Sequence, residues 1–517
     1  MPDPASDGSP RLEERVPKST KSMPPHKSMI SQFFSGTLAI GIARASTIIL
    51  GFVSMMIAVR NTSKEEYGAY VLLIVLTAFL AEFMSFGMTL SIPKYLASHD
   101  DASYQQTLKA TVLAFRILTV VAVSALIFAA RALLGRFMDS SLVLDLTVYM
   151  PVVFGLSSLS LLFSSILRGQ FRFGAMGIIE VTSDAVELAA LILMVVVFRM
   201  GLRGLFYAKF ISGASYVLLG YFQTRFPKKL RINLPVLKEL LKFGFPLQLQ
   251  HALDFSFSRI DTMIIGALLG TGGIAYYEIA RKIPDSLMQL YSVFASVYFP
   301  ISANLYAREV KEKTENLMNH SLRVLTFLTI FGALAAVVFG KDIIRLLFSE
   351  TYLPSYFAFV LLMFGLTLNV LENTLGYSLV AIGDSDKPLI VNIVRTVLSL
   401  IGNLVFLPLA GFVGAAIVSL AGNSAAIPLD AFFLRKRKLR PNFIEVAKPI
   451  SILLVFSLVF VGLGAASLLL KITMIVFYIP VCFVFSVITS RDLALLSREA
   501  RQTMAKAFKR VRLTAAP

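Results

Sequence analysis

The sequence predicts an all-α polytopic membrane protein with about 14 transmembrane helices, arranged as two six-helix lobes (a parallel internal repeat) plus a C-terminal helix pair. Three observations predict it. Of the 517 residues, 56% are hydrophobic and 15% charged, with a mean hydropathy of +0.75; soluble domains carry about 45–50% apolar and about 25% charged residues. The apolar residues fall in runs of about 20, long enough to cross a bilayer. Lys and Arg gather in alternate connections, as a fixed membrane orientation requires. This balance excludes an ordinary soluble enzyme, a disulfide scaffold and a disordered chain.

The elements follow in order. Residues 1–30 are rich in Pro, Ser and charge and predict a disordered basic cytoplasmic tail. The N-lobe, 31–222, holds apolar runs at 31–59, 68–93, 106–130, 144–167, 174–198 and 203–222. Residues 223–242 form a basic cytoplasmic linker. The C-lobe, 243–434, holds runs at 243–268, 284–306, 320–340, 354–382, 388–409 and 411–434. A basic loop, 435–447, precedes the added pair at 448–469 and 472–490. The tail 491–517 sets Arg498, Arg501, Lys506, Lys509, Arg510 and Arg512 around Leu495, Leu496, Met504 and Phe508, which predicts an amphipathic helix on anionic lipid. Pro93 and Pro300 are expected to kink or end their helices.

Orientation follows from the bases. With both termini in the cytoplasm, 33 of the 49 Lys and Arg fall inside, 11 outside and five within spans. That bias predicts a multi-pass protein of the plasma (inner) membrane with both ends cytoplasmic. The net charge of +18 then reflects loops facing anionic lipid rather than nucleic acid. The single Cys482 forms no intramolecular disulfide, and His26, His99, His251 and His320 are too scattered for a metal cluster. No phosphate-binding loop, H-E-x-x-H or G-x-S-x-G is present. The expectation is a transporter, not an enzyme, with no cofactor beyond H+ or Na+ as a coupling ion.

The two halves share punctuation. Gly68 pairs with Ala275 and Pro93 with Pro300 at an offset of 207, Gly201–Gly204 with Gly411–Gly414 at 210, and Gly169 with Gly383 at 214. Parallel repeats of this kind place a transport path between the lobes.

The same residues carry a family likeness. Arg60-Asn61-Thr62-Ser63-Lys64-Glu65-Glu66-Tyr67-Gly68-Ala69-Tyr70 resembles the turn after the first helix of polysaccharide transporters, the O-antigen flippase branch of the multidrug/oligosaccharidyl-lipid/polysaccharide superfamily. Lys242-Phe243-Gly244-Phe245-Pro246, Asp261-Thr262-Met263-Ile264-Ile265-Gly266 with Gly270, Gly273 and Tyr277, Ala381-Ile382-Gly383-Asp384, and Gly411-Phe412-Val413-Gly414 resemble it too. The resemblance implies a flippase. Its cargo would be a polyprenyl-diphosphate-linked oligosaccharide, moved from inner to outer leaflet by alternating access. Anionic lipids and glycan-assembly enzymes would be its partners. A cation-coupled multidrug exporter of the same superfamily is the alternative, and a membrane polysaccharide polymerase or ligase a more distant one.

Charges inside spans need a cavity or a partner. Arg44 lies about 20 Å along its span, near the midplane. Arg44, Arg116, Arg259 and Arg395 are expected to line the cavity and hold the cargo's diphosphate or acidic sugars, since guanidinium binds such groups in two-pronged fashion. Lys209 lies near the end of its span and can snorkel. Glu180, Asp184 and Glu187 share one helix face, and with Glu82 and Glu372 they are candidates for ion coupling or for neutralising the arginines. Asp254 and Asp261, with His251 and Ser258, share a face of the seventh span; Asp261 is expected to cap its end.

Overall fold

A computed structural model describes residues 26–99, 101–137, 141–226, 231–308, 310–384, 386–462, 467–485 and 487, with side chains except at 26–40, 42, 131–137, 141–143, 247, 249–258 and 461. Among the described residues the chain is helical almost throughout. The elements are α1 His26–Asn61, α2 Lys64–Phe83, α3 Met88–Ser98, α4 Ala102–Phe137, α5 Ser141–Leu146, α6 Met150–Gly169, α7 Phe173–Leu191, α8 Gly201–Thr224, α9 Leu234–Ala307, α10 Lys311–Leu347, α11 Tyr356–Ala381, α12 Asp386–Ala410, α13 Phe412–Lys436, α14 Phe443–Gly462 and α15 Leu468–Val484. Among the described residues, eleven helical segments are long and apolar enough to cross a membrane. Each expected span overlaps a helix. Residues 26–30, expected to belong to a disordered tail, are helical. The rest of that tail and the expected amphipathic helix at 491–517 lie outside the described residues.

Local sequence explains the helix starts. Ser63 caps α2: its hydroxyl accepts from the Glu66 N–H while the Glu66 carboxylate accepts from the Ser63 N–H. This reciprocal pair satisfies two orphan donors. Asn233 caps α9, with Pro235 in the first turn.

Two expectations about breaks are corrected. The span expected at 68–93 is broken well before Pro93, at Phe86 and Gly87, where φ is 51° and 74°. Pro93 and Pro300 both sit inside helices. The connection expected between the seventh and eighth spans is almost entirely helical. Within α9 the backbone departs from helical geometry at Gly270 alone, at φ 72° and ψ −174°, a conformation that glycine adopts without steric cost. Residues 271–283, expected outside the membrane, therefore extend the second half of α9. Tyr277, Glu278, Arg281 and Lys282 go with them.

The two halves use matching packing partners. α6 packs on α4 and α8, and α7 on α8; α11 packs on α10 and α13, and α12 on α13. α2 and α9 form the main seam between the halves. At one end of the seam a Cβ built on Gly68 would lie 1.8 Å from the Thr271 carbonyl oxygen, so only glycine permits this approach. Farther along, Gln248 of α9 seals the break after α2. Its side-chain oxygen accepts from the Ser85 hydroxyl and the Gly87 N–H, both at 2.7 Å, and its amide donates to the Glu82 carbonyl at 3.0 Å.

Candidate functional site

Among the cavities bordering the second half of α9, two gather charged side chains from several helices. The larger, about 550 Å³, is walled by α9, α11, α12 and α13. Its acids and bases are Asp261, Arg281, Asp285, Glu372 and Arg395. The smaller, about 290 Å³, lies among α1, α2, α7, α8 and α9 and contains Asp184, Glu187, Lys209 and Lys282.

A charge cluster built by α9 alone edges the larger cavity. Arg281 is 8% exposed. It donates to Asp285 at 3.0 Å and to Asp261 at 3.2 Å, with Glu278 at 3.8 Å. The helix brings these groups together because Arg281 and Asp285 are one turn apart and Gly270 folds the Asp261 segment back beside them. Tyr277 donates its hydroxyl to Asp261 at 2.5 Å, and Thr262 donates to Glu278 at 3.0 Å. Such a buried base persists only where carboxylates compensate its desolvation. Across the cavity, Arg395 of α12 donates to Glu372 of α11 at 2.8 Å and to Asn423 of α13 at 3.4 Å.

In the smaller cavity Lys209 donates to Glu187 at 2.9 Å. One buried oxygen of Asp184 has no hydrogen-bond partner. Lys282 lies over the Phe52 ring, 5.6 Å from its centre, and has no ion pair among the described residues. Attraction of an ammonium to an aromatic face offsets part of its desolvation.

The expected site residues divide. Arg395, Glu372, Asp184 and Glu187 line the two cavities. Arg259 joins the α9 cluster, 3.4 Å from Glu278 and 3.9 Å from Asp285. Arg116, Arg44, Glu82 and Glu180 line neither cavity. Arg116 is fully buried and donates to the Met84 carbonyl at the break after α2, at 3.3 Å, and to the Ser158 hydroxyl, at 3.2 Å. Arg44 is half-buried with no ion pair among the described residues. Glu82 accepts from Thr89 at 3.4 Å. Lys209 is held by Glu187 rather than snorkelling, and Asp261 pairs with Arg281 rather than only capping a helix end. The side chains of His251, Asp254 and Ser258 lie outside those described.

Sequence reasoning missed Glu278, Arg281 and Lys282, because a charge-dense stretch lowers local hydropathy and reads as a loop, and it passed over Asp285 at the start of the run expected at 284–306. It also missed Asp430, a fully buried acid of α13 beside the Glu372–Arg395 pair, neither of whose oxygens has a hydrogen-bond partner. A lone Asp within an apolar run was the available signal.

The model of the family described as polysaccharide biosynthesis protein matches residues 57–356. The probable multidrug resistance protein YpnP of Bacillus subtilis is 28% identical over 217 residues, 40% of this chain and 47% of that protein. The probable flippase AglR of Haloferax volcanii is 24% identical over 262 residues, 49% of this chain and 53% of that protein. The chain thus spans about half the length of these curated relatives. Among solved structures, the lipid II flippase MurJ in an inward closed conformation superposes with a TM-score of 0.72 at 17% identity, covering 89% of this chain and 100% of that one. That likeness establishes the fold.

Proposed function

The chain belongs to the polysaccharide biosynthesis protein family, and on that premise we propose that it is a flippase, not an enzyme. It moves polyprenyl-diphosphate-linked oligosaccharide units, of O-antigen or exopolysaccharide type, from the inner to the outer leaflet. The two lobes rock about the α2–α9 seam and expose the cavities to each side in turn. Both termini face the cytoplasm, and the membrane is the plasma membrane. The observation that carries this reading is the convergence of charged side chains from five membrane helices on the two cavities beside α9, where hydrocarbon would make them costly.

We assign contact with the anionic diphosphate to Lys282, the cavity-lining base that no described carboxylate pairs. Coupling to H+ or Na+ falls to Asp184 and Glu187 in the smaller cavity and Glu372 in the larger. The basic loops meet anionic lipid and the glycan-assembly enzymes. A second reading, cation-coupled drug export, is favoured by the acids in both cavities and by the relative named for multidrug resistance.

Depletion of the protein tests the two. The flippase reading expects an intact lipid-linked glycan to build up on the inner leaflet and wild-type protein to clear it. Unchanged glycan pools with heightened sensitivity to cationic drugs would establish the exporter instead.

A further inference from the structure

Five asparagines line the larger cavity, together with Tyr377: Asn369, Asn373, Asn392, Asn403 and Asn423. Ligand cavities are usually lined mostly by apolar groups with a few polar ones. Asparagine inside membrane helices commonly ties one helix to another, and of these five only Asn423 does so among the described residues. Asn423 donates to the Gly365 carbonyl of α11 at 3.3 Å and accepts from Arg395 of α12. Asn373 donates within its own helix, to Asn369 and Glu372. Asn403 donates to the Ser399 carbonyl, also within its own helix, at 2.9 Å. Asn392 has no side-chain hydrogen bond among the described residues. The Asn403 side-chain oxygen, on a residue 1% exposed, has no partner among the described residues. A buried acceptor left unmet is unfavourable and needs a donor from elsewhere.

Both bases in this wall are already held by carboxylates, Arg281 by Asp261 and Asp285 and Arg395 by Glu372. The cavity therefore offers paired donors and acceptors without a spare cation. An amide both donates and accepts, as does a sugar hydroxyl.

We propose that the asparagine-lined cavity bounded by α9, α11, α12 and α13 is a subsite for the uncharged, hydroxyl-rich sugar portion of the cargo. It is separate from the place where the diphosphate is held, and its amides set the preference among glycans. Its volume of about 550 Å³ suits a short oligosaccharide rather than a single ring. The inference rests on the flippase reading.

The test uses the full chain in lipid nanodiscs with two probes. One is bare polyprenyl diphosphate; the other is the lipid-linked glycan pool extracted from cells depleted of this protein. Wild-type protein should prefer the glycan pool, and Asn403→Leu and Asn392→Leu should each cut that preference about five- to tenfold while leaving the affinity for the bare carrier unchanged. Asn392 is half-exposed, so its variant stands even where Asn403→Leu fails to fold. Full preference in both variants would overturn the sugar subsite and leave the flippase reading intact, as would equal loss of both probes. Binding of neither probe by wild-type protein would overturn both.

Discussion

Arg281 and Lys282 are consecutive residues of α9, and they open onto different cavities, Arg281 onto the larger and Lys282 onto the smaller. A helix turns about 100° per residue, so one helix serves as a wall with two working faces. Arg281 is saturated by carboxylates; Lys282 is not. Arg281→Ala leaves Asp261 without its base, while Glu278 and Asp285 keep Arg259, and should destabilise the fold by about 3 kcal/mol, seen as a lowered melting temperature and poor recovery. Lys282→Ala should keep the wild-type melting temperature and lose glycan flipping in cells.

Glu187 and Lys209 form a closed pair. Removing one partner strands the other, whereas removing both does not. Glu187→Gln and Lys209→Met should each lower the melting temperature, and the double variant should recover most of the loss. Simple addition of the two effects would show that the pair contributes nothing to the fold.

Asp430 is buried with no partner for either oxygen. An uncompensated carboxyl there opposes folding. Asp430→Asn should raise the melting temperature, and a simultaneous fall in flipping would mark it as an acid kept for transport rather than stability.

Asp384 and Arg437 lie in connections outside the spanning helices. Arg437 donates to both oxygens of Asp384, at 2.7 and 2.5 Å, and these hydrogen bonds hold the carboxyl below its ordinary range. A depressed acid contributes stability above its unfolded value of about 3.9, and that contribution disappears as pH falls through the folded value. The melting temperature of wild-type protein should therefore drop more steeply below about pH 4 than that of Asp384→Asn.

The approach of Gly68 to the Thr271 carbonyl leaves no room for a side chain. Gly68→Val should part the seam at that end. Cysteines placed at Ala69 and Gly272 should then react faster with a water-soluble maleimide than in an otherwise wild-type background, and flipping should fall.

Much of the helical plan was legible because apolar runs are long and their spacing is coarse. The stretch 271–283 was not, because hydropathy averages each charge separately and cannot register that Arg281 is neutralised by Asp261 and Asp285. The depth of Arg44 and Arg116 marked them as needing company, but helix rotation decides what company. For Arg116 it is the open carbonyl of Met84 and a serine, not a cavity. The asparagines went unnoticed because each is a single polar residue in a greasy run. Only the assembled bundle gathers five of them onto one surface.

Where Gly68 meets Thr271, main chain rests on main chain. Immediately beside it the seam is oily: the side chains of Leu72 in α2 and Ile274 in α9 close on Gly266, and both are fully buried. Water entering the joint would meet these side chains as well as the peptide groups, at about 25 cal/mol for every Å² of apolar surface wetted. The joint thus fixes the spacing of α2 and α9 by shape alone, and any opening of it must also part the apolar side chains packed beside it.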